Sequence, residues 1–271
     1  MLFYNIKCIK YYKFFLFKKG LFKKLIDRKS KFRVVISQQG SSKENMSIDE
    51  ALLKCFKEND LPILRLYTWN KDSLTIGISQ QPSDYKFLDK TSEKIAKRIT
   101  GGGVLFHGHD LSYSLVIPPK LLNNYNIKES YEFICSFILE FYRKLDLNVC
   151  YAKDDENITL SKSEYCQVGF EAYDILVNGK KIGGNAQRRT KKAIFQHGSI
   201  PIKVTKSNKF DEKIGLSLED INVNIDFKNA IELMVKSFED SFEVEVITSS
   251  LTKEEENFKN NLLKEKYDYT N

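Results

Sequence analysis

The stretch RITGGGVLFHGHDLSYS (residues 98–114) places three consecutive glycines, and then the chain's first two histidines, inside a strand-like sequence. Glycine weakens a strand interior, because it loses the most backbone entropy on folding and packs no side chain. The run at 101–103 therefore predicts one of two features. It is a bulge or hairpin corner, or it is a place where the backbone closely approaches a ligand.

Working outward, hydrophobic periodicity divides the chain into strands and helices. Upstream it predicts a strand at 32–37, a helix at 45–57 with Asn45 as N-cap, and strands at 63–69 and 73–79 separated by a hairpin-like break. Downstream it predicts a strand pair turning at Gly108, one helix at 128–145, a strand at 193–202 and a helix at 227–242.

Two short signals are more specific. Asn178-Gly179 lies between apolar runs and predicts a hairpin with a type I′ turn. Thr252 and Glu255 have the spacing of a capping box and predict the start of a last helix. Because strands and helices mix without regular βαβ alternation, the sequence predicts an α+β fold. We expect a mixed, largely antiparallel sheet with flanking helices, in a single domain over residues 31–271.

Charge is distributed unevenly. The net charge is +7, but residues 1–30 hold nine basic groups and one acidic group, which leaves residues 31–271 almost neutral. The charge of residues 31–271 therefore does not indicate nucleic acid as a partner. The first 30 residues lack a long apolar run, so we expect no stable membrane insertion. They are predicted to be a poorly ordered basic extension, with a helix lying on a membrane surface as the alternative.

The chain has five cysteines and no C-x-x-C pair. An odd number without such a pair argues against both a disulfide framework and a zinc site. We therefore expect no metal and a reducing, cytoplasmic location.

Polar and glycine residues interrupt a second strand-like segment, at 166–199. Lys181 follows the predicted turn and lies close to Gly183 and Gly184. A lysine held in a strand beside glycines can project over a bound ligand. Lys180, its neighbour, is interpreted as a solvated hairpin lysine.

Several stretches, in order, resemble the lipoate–protein ligase and octanoyltransferase family. They are NMSIDEALL, LRLYTW, IGISQ, the R-x-T-G-G-G-V-L-F-H pattern, DLSYS and NGKKIGGNAQRR…FQHGSI. The resemblance runs from about residue 32 to 200, and more loosely to about 242. It implies a mixed α+β catalytic domain related to that of biotin ligases, and an enzyme that attaches octanoyl or lipoyl groups to a lysine of lipoyl domains.

The resemblance also implies site residues. Lys181 matches the family's active-site lysine, which would donate to the acyl carbonyl and stabilise the oxyanion of the transition state. The glycine run would line the tunnel for the acyl chain. The substrate-binding residues carried over are Arg98, Gly101, Gly102, Gly103, His107, Gly183, Gly184, Ala186 and His197.

Cys166 indicates which subgroup of the family the chain resembles. In one octanoyltransferase subgroup, a nucleophilic cysteine precedes a tyrosine by seven residues, as Cys166 precedes Tyr173. This favours octanoyl transfer from acyl carrier protein through a cysteine thioester, without ATP, metal or another cofactor. The acceptors would be lipoyl domains of 2-oxoacid dehydrogenases or the glycine cleavage H protein. Gln167 and Gly103 depart from the subgroup pattern.

Two alternatives stay open. Gly103 is more typical of ATP-dependent lipoate–protein ligases, which would need ATP and Mg²⁺ and could use a separate accessory subunit. The short C-terminal part after residue 200 counts against that alternative. A non-catalytic lipoyl-binding relative is the other alternative, and the presence of both Cys166 and Lys181 counts against it. The sequence leaves open whether octanoyl or lipoyl is preferred.

Overall fold

The computed structural model describes residues 30–84, 94–160, 170–204 and 216–267. Cys166, and the predicted basic extension apart from Ser30, lie outside the described residues. The described strands are β1 (Lys31–Ile36), β2 (Ile63–Tyr67), β3 (Leu74–Ile76), β4 (Ile95–Lys97), β5 (Leu105–Phe106), β6 (Asp110–Ile117), β7 (Val149–Tyr151), β8 (Ile175–Val177), β9 (Lys180–Gly183), β10 (Asn185–Arg189), β11 (Ile194–Pro201) and β12 (Glu245–Thr248). The described α-helices are α1 (Ser42–Cys55), α2 (Ile127–Ile134), α3 (Ser136–Arg143), α4 (Phe227–Phe242) and α5 (Lys253–Glu265).

The main sheet has the strand order β10-β11-β6-β2-β1-β12 among the described residues. From β10 to β2 the neighbours are antiparallel, whereas β1 runs parallel to both β2 and β12. Two smaller sheets flank it, with the orders β4-β3-β5 and β7-β8-β9. The predicted α+β fold with a mixed, largely antiparallel sheet is confirmed.

The main sheet is covered on both faces. On one face, Tyr113 of β6 packs edge-on against Phe137 of α3, which in turn contacts Phe238 of α4. On the other face, Val116 of β6 belongs to a smaller core with Leu52 of α1. Since both faces are buried, β6 is buried along its whole length, and its polar residues must find partners inside the protein.

Three sequence predictions are confirmed in detail. Asn178 and Gly179 both have positive φ, 50° and 73°, as a type I′ turn requires, and they join β8 to β9. The helix predicted at 227–242 has those bounds. Thr252 caps α5 and forms a reciprocal capping box with Glu255.

Both helix predictions upstream need correction. The N-cap of α1 is Ser41, in a capping box with Glu44, and not Asn45. Asn45 lies within the helix, where its side chain binds Arg65 and the Thr68 carbonyl. The helix predicted at 128–145 is interrupted at Cys135, where ψ falls to −3°, so it forms α2 and α3.

Two predicted strand pairs are also wrong. The strands on either side of the 70–72 break, β2 and β3, belong to different sheets, as do β5 and β6 on either side of Gly108. Gly108 does turn the chain, with φ at 104°, and a Cβ there would lie 3.1 Å from the Lys71 Cα. The turn directs β6 into the main sheet, where its partners are distant in sequence.

None of the helices formed by the described residues combines the length and apolar character that crossing a bilayer requires.

Candidate active site

Lys181 forms a buried ion pair. Its Nζ lies 2.6 Å from Oδ2 of Asp174, and the two side chains are 10% and 7% exposed. Asp174 also accepts a hydrogen bond from the Glu171 backbone N–H at 2.7 Å. Burial raises the pKa of the Asp174 carboxyl, and the Lys181 ammonium counteracts part of that rise. The ammonium is therefore held at a defined position. Lys180 is exposed, as expected.

Gly183 and Gly184 follow Lys181 and make close approaches of two different kinds. A Cβ on Gly183 would lie 2.8 Å from the Ser199 carbonyl oxygen, so β9 can pass close to β11 only because residue 183 is glycine. A Cβ on Gly184 would lie 3.1 Å from Oδ1 of Asp174 and 3.9 Å from Cε of Lys181. Gly184 thus borders the ion pair directly, whereas Gly183 serves the packing of strands.

Arg98 anchors the glycine run. Its guanidinium donates to the carbonyl oxygens of Gly101, at 3.2 Å, and Gly103, at 2.6 Å. It also donates to both the carbonyl and the hydroxyl oxygen of Thr75 in β3. Arg98 is buried, so these charge-assisted bonds are shielded from water. The arginine fixes the shape of the run.

The glycines of the run have different local environments. A Cβ on Gly101 would meet no atom within 4 Å, and this residue is exposed. Gly102 has φ of 100°, a conformation that other residues rarely adopt. Gly102 also packs against Gly77, where a Cβ would lie 2.1 Å from the Gly102 carbonyl oxygen. Backbone geometry therefore explains why residue 102 is glycine, but it does not explain why residue 101 is.

This difference gives a test of the tunnel hypothesis. Gly101→Val should reduce transfer about a hundredfold, because a small misplacement of the acyl chain can cost that much. Its free energy of unfolding should not change, since nothing near the new side chain must move. Gly102→Ala should instead lose about 1–3 kcal/mol of stability, because its φ is strained for alanine. Transfer rates and urea unfolding of both variants check this. A fully active Gly101→Val protein would exclude an acyl path beside Gly101.

His107 lies in a buried chain of hydrogen bonds beneath the run. Its Nε2 is 2.8 Å from the Thr75 hydroxyl, its Nδ1 is 2.9 Å from Oδ2 of Asp110, and its ring stacks on Trp69 at 3.7 Å. Because Arg98 donates to the Thr75 hydroxyl, that hydroxyl donates onward to Nε2, and Nδ1 carries the imidazole proton. Burial lowers the pKa of His107 despite the nearby carboxylate, so the ring is neutral near pH 7.

Asp110 connects this chain to the strand that packs on β9. Its carboxylate accepts hydrogen bonds from the hydroxyls of Ser112, at 3.0 Å, and Ser199, at 2.7 Å. Burial acts to raise the pKa of Asp110, but His107 and the hydrogen bonds outweigh it and hold the pKa well below its usual value. Ser199 is the residue whose carbonyl touches Gly183. The glycine run and the lysine strand are thus linked through Asp110.

His197 lies on β11, opposite Ala186 of β10. Its Nε2 is 2.6 Å from the hydroxyl of Thr100, the residue before the run, and its Nδ1 is 3.6 Å from Oδ2 of Asp49. Burial lowers the pKa of His197. Asp49 is itself paired with buried Arg65 at 2.7 Å. His197 therefore connects Thr100, just before the glycine run, to the main sheet.

Taken together, the fold brings the carried-over residues on 98–107 and 181–197 into one continuous set of contacts. Cys166 lies outside the described residues. Four residues that the sequence did not indicate also belong to this set of contacts: Asp174, Thr75, Asp110 and Ser199. A signal for part of this set exists in DLSYS, because Asp110, Ser112 and Ser114 alternate along a buried strand and must bind polar partners.

Two of the described cysteines, Cys135 and Cys55, are unsuited to nucleophilic attack. Burial raises the pKa of the Cys135 thiol to about 12, so that thiol is protonated near pH 7. Burial and two nearby glutamates also raise the pKa of Cys55. A nucleophilic cysteine needs the opposite environment, one that stabilises the thiolate.

Comparisons with known proteins show similarity over most of the chain. Residues 41–241 match the family model of the lipoyl protein ligase A/B catalytic domain. Octanoyltransferase LipM of Bacillus cereus is 32% identical over 268 residues, which cover 89% of this chain and 96% of that protein.

Two solved structures share the fold. A lipoate-protein ligase A bound with ATP has a TM-score of 0.72 at 21% identity, covering 88% of this chain and 96% of its own. A bi-partite lipoate protein ligase of Thermoplasma acidophilum, studied with its E2 lipoyl domain, has a TM-score of 0.68 at 20% identity, with 88% and 93% covered.

Proposed function

Because the chain belongs to the lipoyl protein ligase A/B catalytic-domain family, it is an enzyme, and we propose that it transfers octanoyl groups to lipoyl domains. In this proposal the donor is octanoyl-acyl carrier protein, and Cys166 carries the acyl group as a thioester. No ATP, metal or other cofactor is needed, since the donor thioester is already activated.

The observation that carries the proposal is the likeness to octanoyltransferase LipM, which extends over almost the whole of both chains. The acceptor is supported by the Thermoplasma acidophilum ligase, which was studied with an E2 lipoyl domain. The buried Lys181–Asp174 pair is linked to the glycine run through Gly183, Ser199 and Asp110. This arrangement supports acyl transfer in general and suits both transferases and ligases.

The first step loads the enzyme. The Cys166 thiolate attacks the carbonyl carbon of the donor thioester, and a new C–S bond forms as the bond to the carrier's sulfur breaks. The carrier leaves as a thiolate and takes a proton from solvent. The acyl group keeps its oxidation state, so no oxidant or reductant is required.

The second step unloads it. The neutral ε-amino group of the acceptor lysine attacks the Cys166 thioester, an amide C–N bond forms, and the C–S bond breaks. The amine loses one proton to solvent, and the Cys166 thiolate is regenerated. An amide is more stable than a thioester, so the second step is favourable and drives the overall transfer.

Lys181 serves both steps. Each passes through a tetrahedral intermediate with negative charge on the former carbonyl oxygen, and an ammonium held in place can donate to that oxygen. Asp174 keeps the ammonium fixed before substrate arrives, so little reorganisation is needed. The run held by Arg98 would accept the apolar chain along its exposed side at Gly101.

Gly103 favours the other enzymatic candidate, an ATP-dependent lipoate–protein ligase. The two candidates make opposite predictions for purified protein given an apo lipoyl domain. The transferase should modify that domain from octanoyl-acyl carrier protein without ATP, and should be inactive with lipoate plus ATP and Mg²⁺. Modification only in the second mixture would overturn the proposal and establish a ligase.

A further inference from the structure

The turn between β10 and β11 carries a concentration of positive charge. Within five residues it has Arg188, Arg189, Lys191 and Lys192, and the last three are exposed. Residues 31–271 hold 34 basic and 35 acidic groups, so this turn is a local excess in an almost neutral body. We refer to residues 188–192 as the basic turn.

Hydrogen bonds that involve none of the charged side chains hold the backbone of the basic turn. The Thr190 N–H and hydroxyl both donate to the Ala193 carbonyl, at 2.9 and 2.8 Å. The Thr190 hydroxyl in turn accepts from the Ala193 N–H at 2.9 Å. Ala193 is fully buried and anchors the turn to the smaller core. Lys191 and Lys192 therefore contribute little to the stability of the turn, and substituting them should not unfold it.

The positive charges of the basic turn have no carboxylate partners among the described residues. Arg188 donates to the carbonyl oxygen of Ile99, and Arg189 donates to side-chain oxygens of Gln187 and Ser130. Elsewhere the described lysines often pair with acids, as Lys144 does with Asp240. Unpaired cations in a preformed turn offer an anionic partner a site at little ordering cost.

The basic turn is joined to the candidate site. The bond from Arg188 to the Ile99 carbonyl is 2.9 Å long, and Ile99 lies between Arg98 and the residues of the glycine run. Along β10, Thr190 is six residues beyond Gly184, which borders the Lys181 ion pair. At about 3.3 Å per residue, the turn is roughly 20 Å from that pair.

We propose that the basic turn docks the acidic acyl carrier protein that donates the octanoyl group, an inference that rests on the proposed function. A carrier protein presents its thioester on a long flexible arm linked through a phosphodiester. It can therefore bind at a distance from Lys181 and still deliver the acyl group. An acceptor lysine belongs to the folded domain itself, so that domain must bind directly over the site. Distance therefore favours the donor over the acceptor, and the positive charge of the basic turn suits the donor's acidic surface.

Charge reversal tests the proposal. Lys191→Glu/Lys192→Glu should raise the KM for octanoyl-acyl carrier protein about tenfold, because two weak attractions are replaced by repulsions. With octanoyl-pantetheine, which lacks the protein and the phosphodiester, KM should not change. The wild-type KM for the carrier should rise with salt near physiological ionic strength, about 0.15 M, and that of the variant should rise less. Lys191→Gln/Lys192→Gln should give a smaller shift in the same direction.

The matched control is Lys228→Glu/Lys253→Glu, which changes the net charge equally at exposed lysines of α4 and α5. It should leave the KM for the carrier unaltered. An unchanged KM in the basic-turn variant, with a wild-type enzyme that uses the carrier, would overturn the docking proposal alone. A raised KM for the lipoyl domain instead would also overturn it, by assigning the turn to the acceptor. A wild-type enzyme that does not use the carrier would overturn the proposed donor and the docking together.

Discussion

Lys181→Ala should reduce octanoyl transfer about a hundredfold to a thousandfold, the usual cost of removing a preorganised oxyanion donor. The loss should appear in kcat, because the donor stabilises charge that develops only in the transition state. Lys180→Ala should be nearly silent, since its side chain is exposed on the opposite face of β9. Steady-state kinetics of the two variants check this. Equal losses would mean that the lysine of the site is wrongly assigned.

Stability must be separated from activity in this experiment. Removing Lys181 leaves the buried carboxylate of Asp174 without its partner at 2.6 Å, which should cost about 1–3 kcal/mol of stability. The double variant Lys181→Ala/Asp174→Asn should recover that stability, because an amide needs no counter-charge. The double variant should not recover the rate of octanoyl transfer. Urea unfolding beside the kinetics shows whether the lost activity reflects lost chemistry or lost fold.

Cys166→Ser should reduce transfer from octanoyl-acyl carrier protein at least as severely. A serine hydroxyl is hardly ionised near pH 7, whereas a thiolate is a strong nucleophile and a good leaving group from its own acyl derivative. Cys55→Ser and Cys150→Ser are the matched controls and should keep activity, because neither cysteine is carried over as a site residue. Full transfer by a Cys166→Ala protein would exclude the thioester route.

Local chemistry made the hairpin at Asn178-Gly179 and the start of α5 at Thr252 predictable. In each case a short motif satisfies its own backbone, so no distant residue is needed to specify it. Asn45 shows where this reasoning fails. Its side chain suits an N-cap, but buried Arg65 uses it instead, and Ser41 caps the helix. The tertiary contact with Arg65 therefore outweighs the local preference of Asn45 for an N-cap position.

The site was only partly predictable for the same reason. Lys181 and the glycine run followed from a resemblance that spans many motifs. The partner of Lys181 could not be found that way, because a shift of strand register between Ile175 and Leu176 sets how Asp174 faces it across the β8–β9 hairpin. The links through Asp110 and Ser199 depend on β6 and β11 being neighbours, a pairing of strands distant in sequence. Local pattern carries no information about such pairings.

The most direct test is to incubate the enzyme with octanoyl-acyl carrier protein, without an acceptor domain, and to measure the intact mass of the enzyme. If Cys166 carries the acyl group, the mass should increase by one octanoyl group. Hydroxylamine should remove it, and peptide mapping should place it on Cys166. The Cys166→Ser protein should not gain the hydroxylamine-sensitive group. An enzyme that transfers octanoyl to a lipoyl domain in the same preparation, yet never gains this mass, would contradict the thioester mechanism.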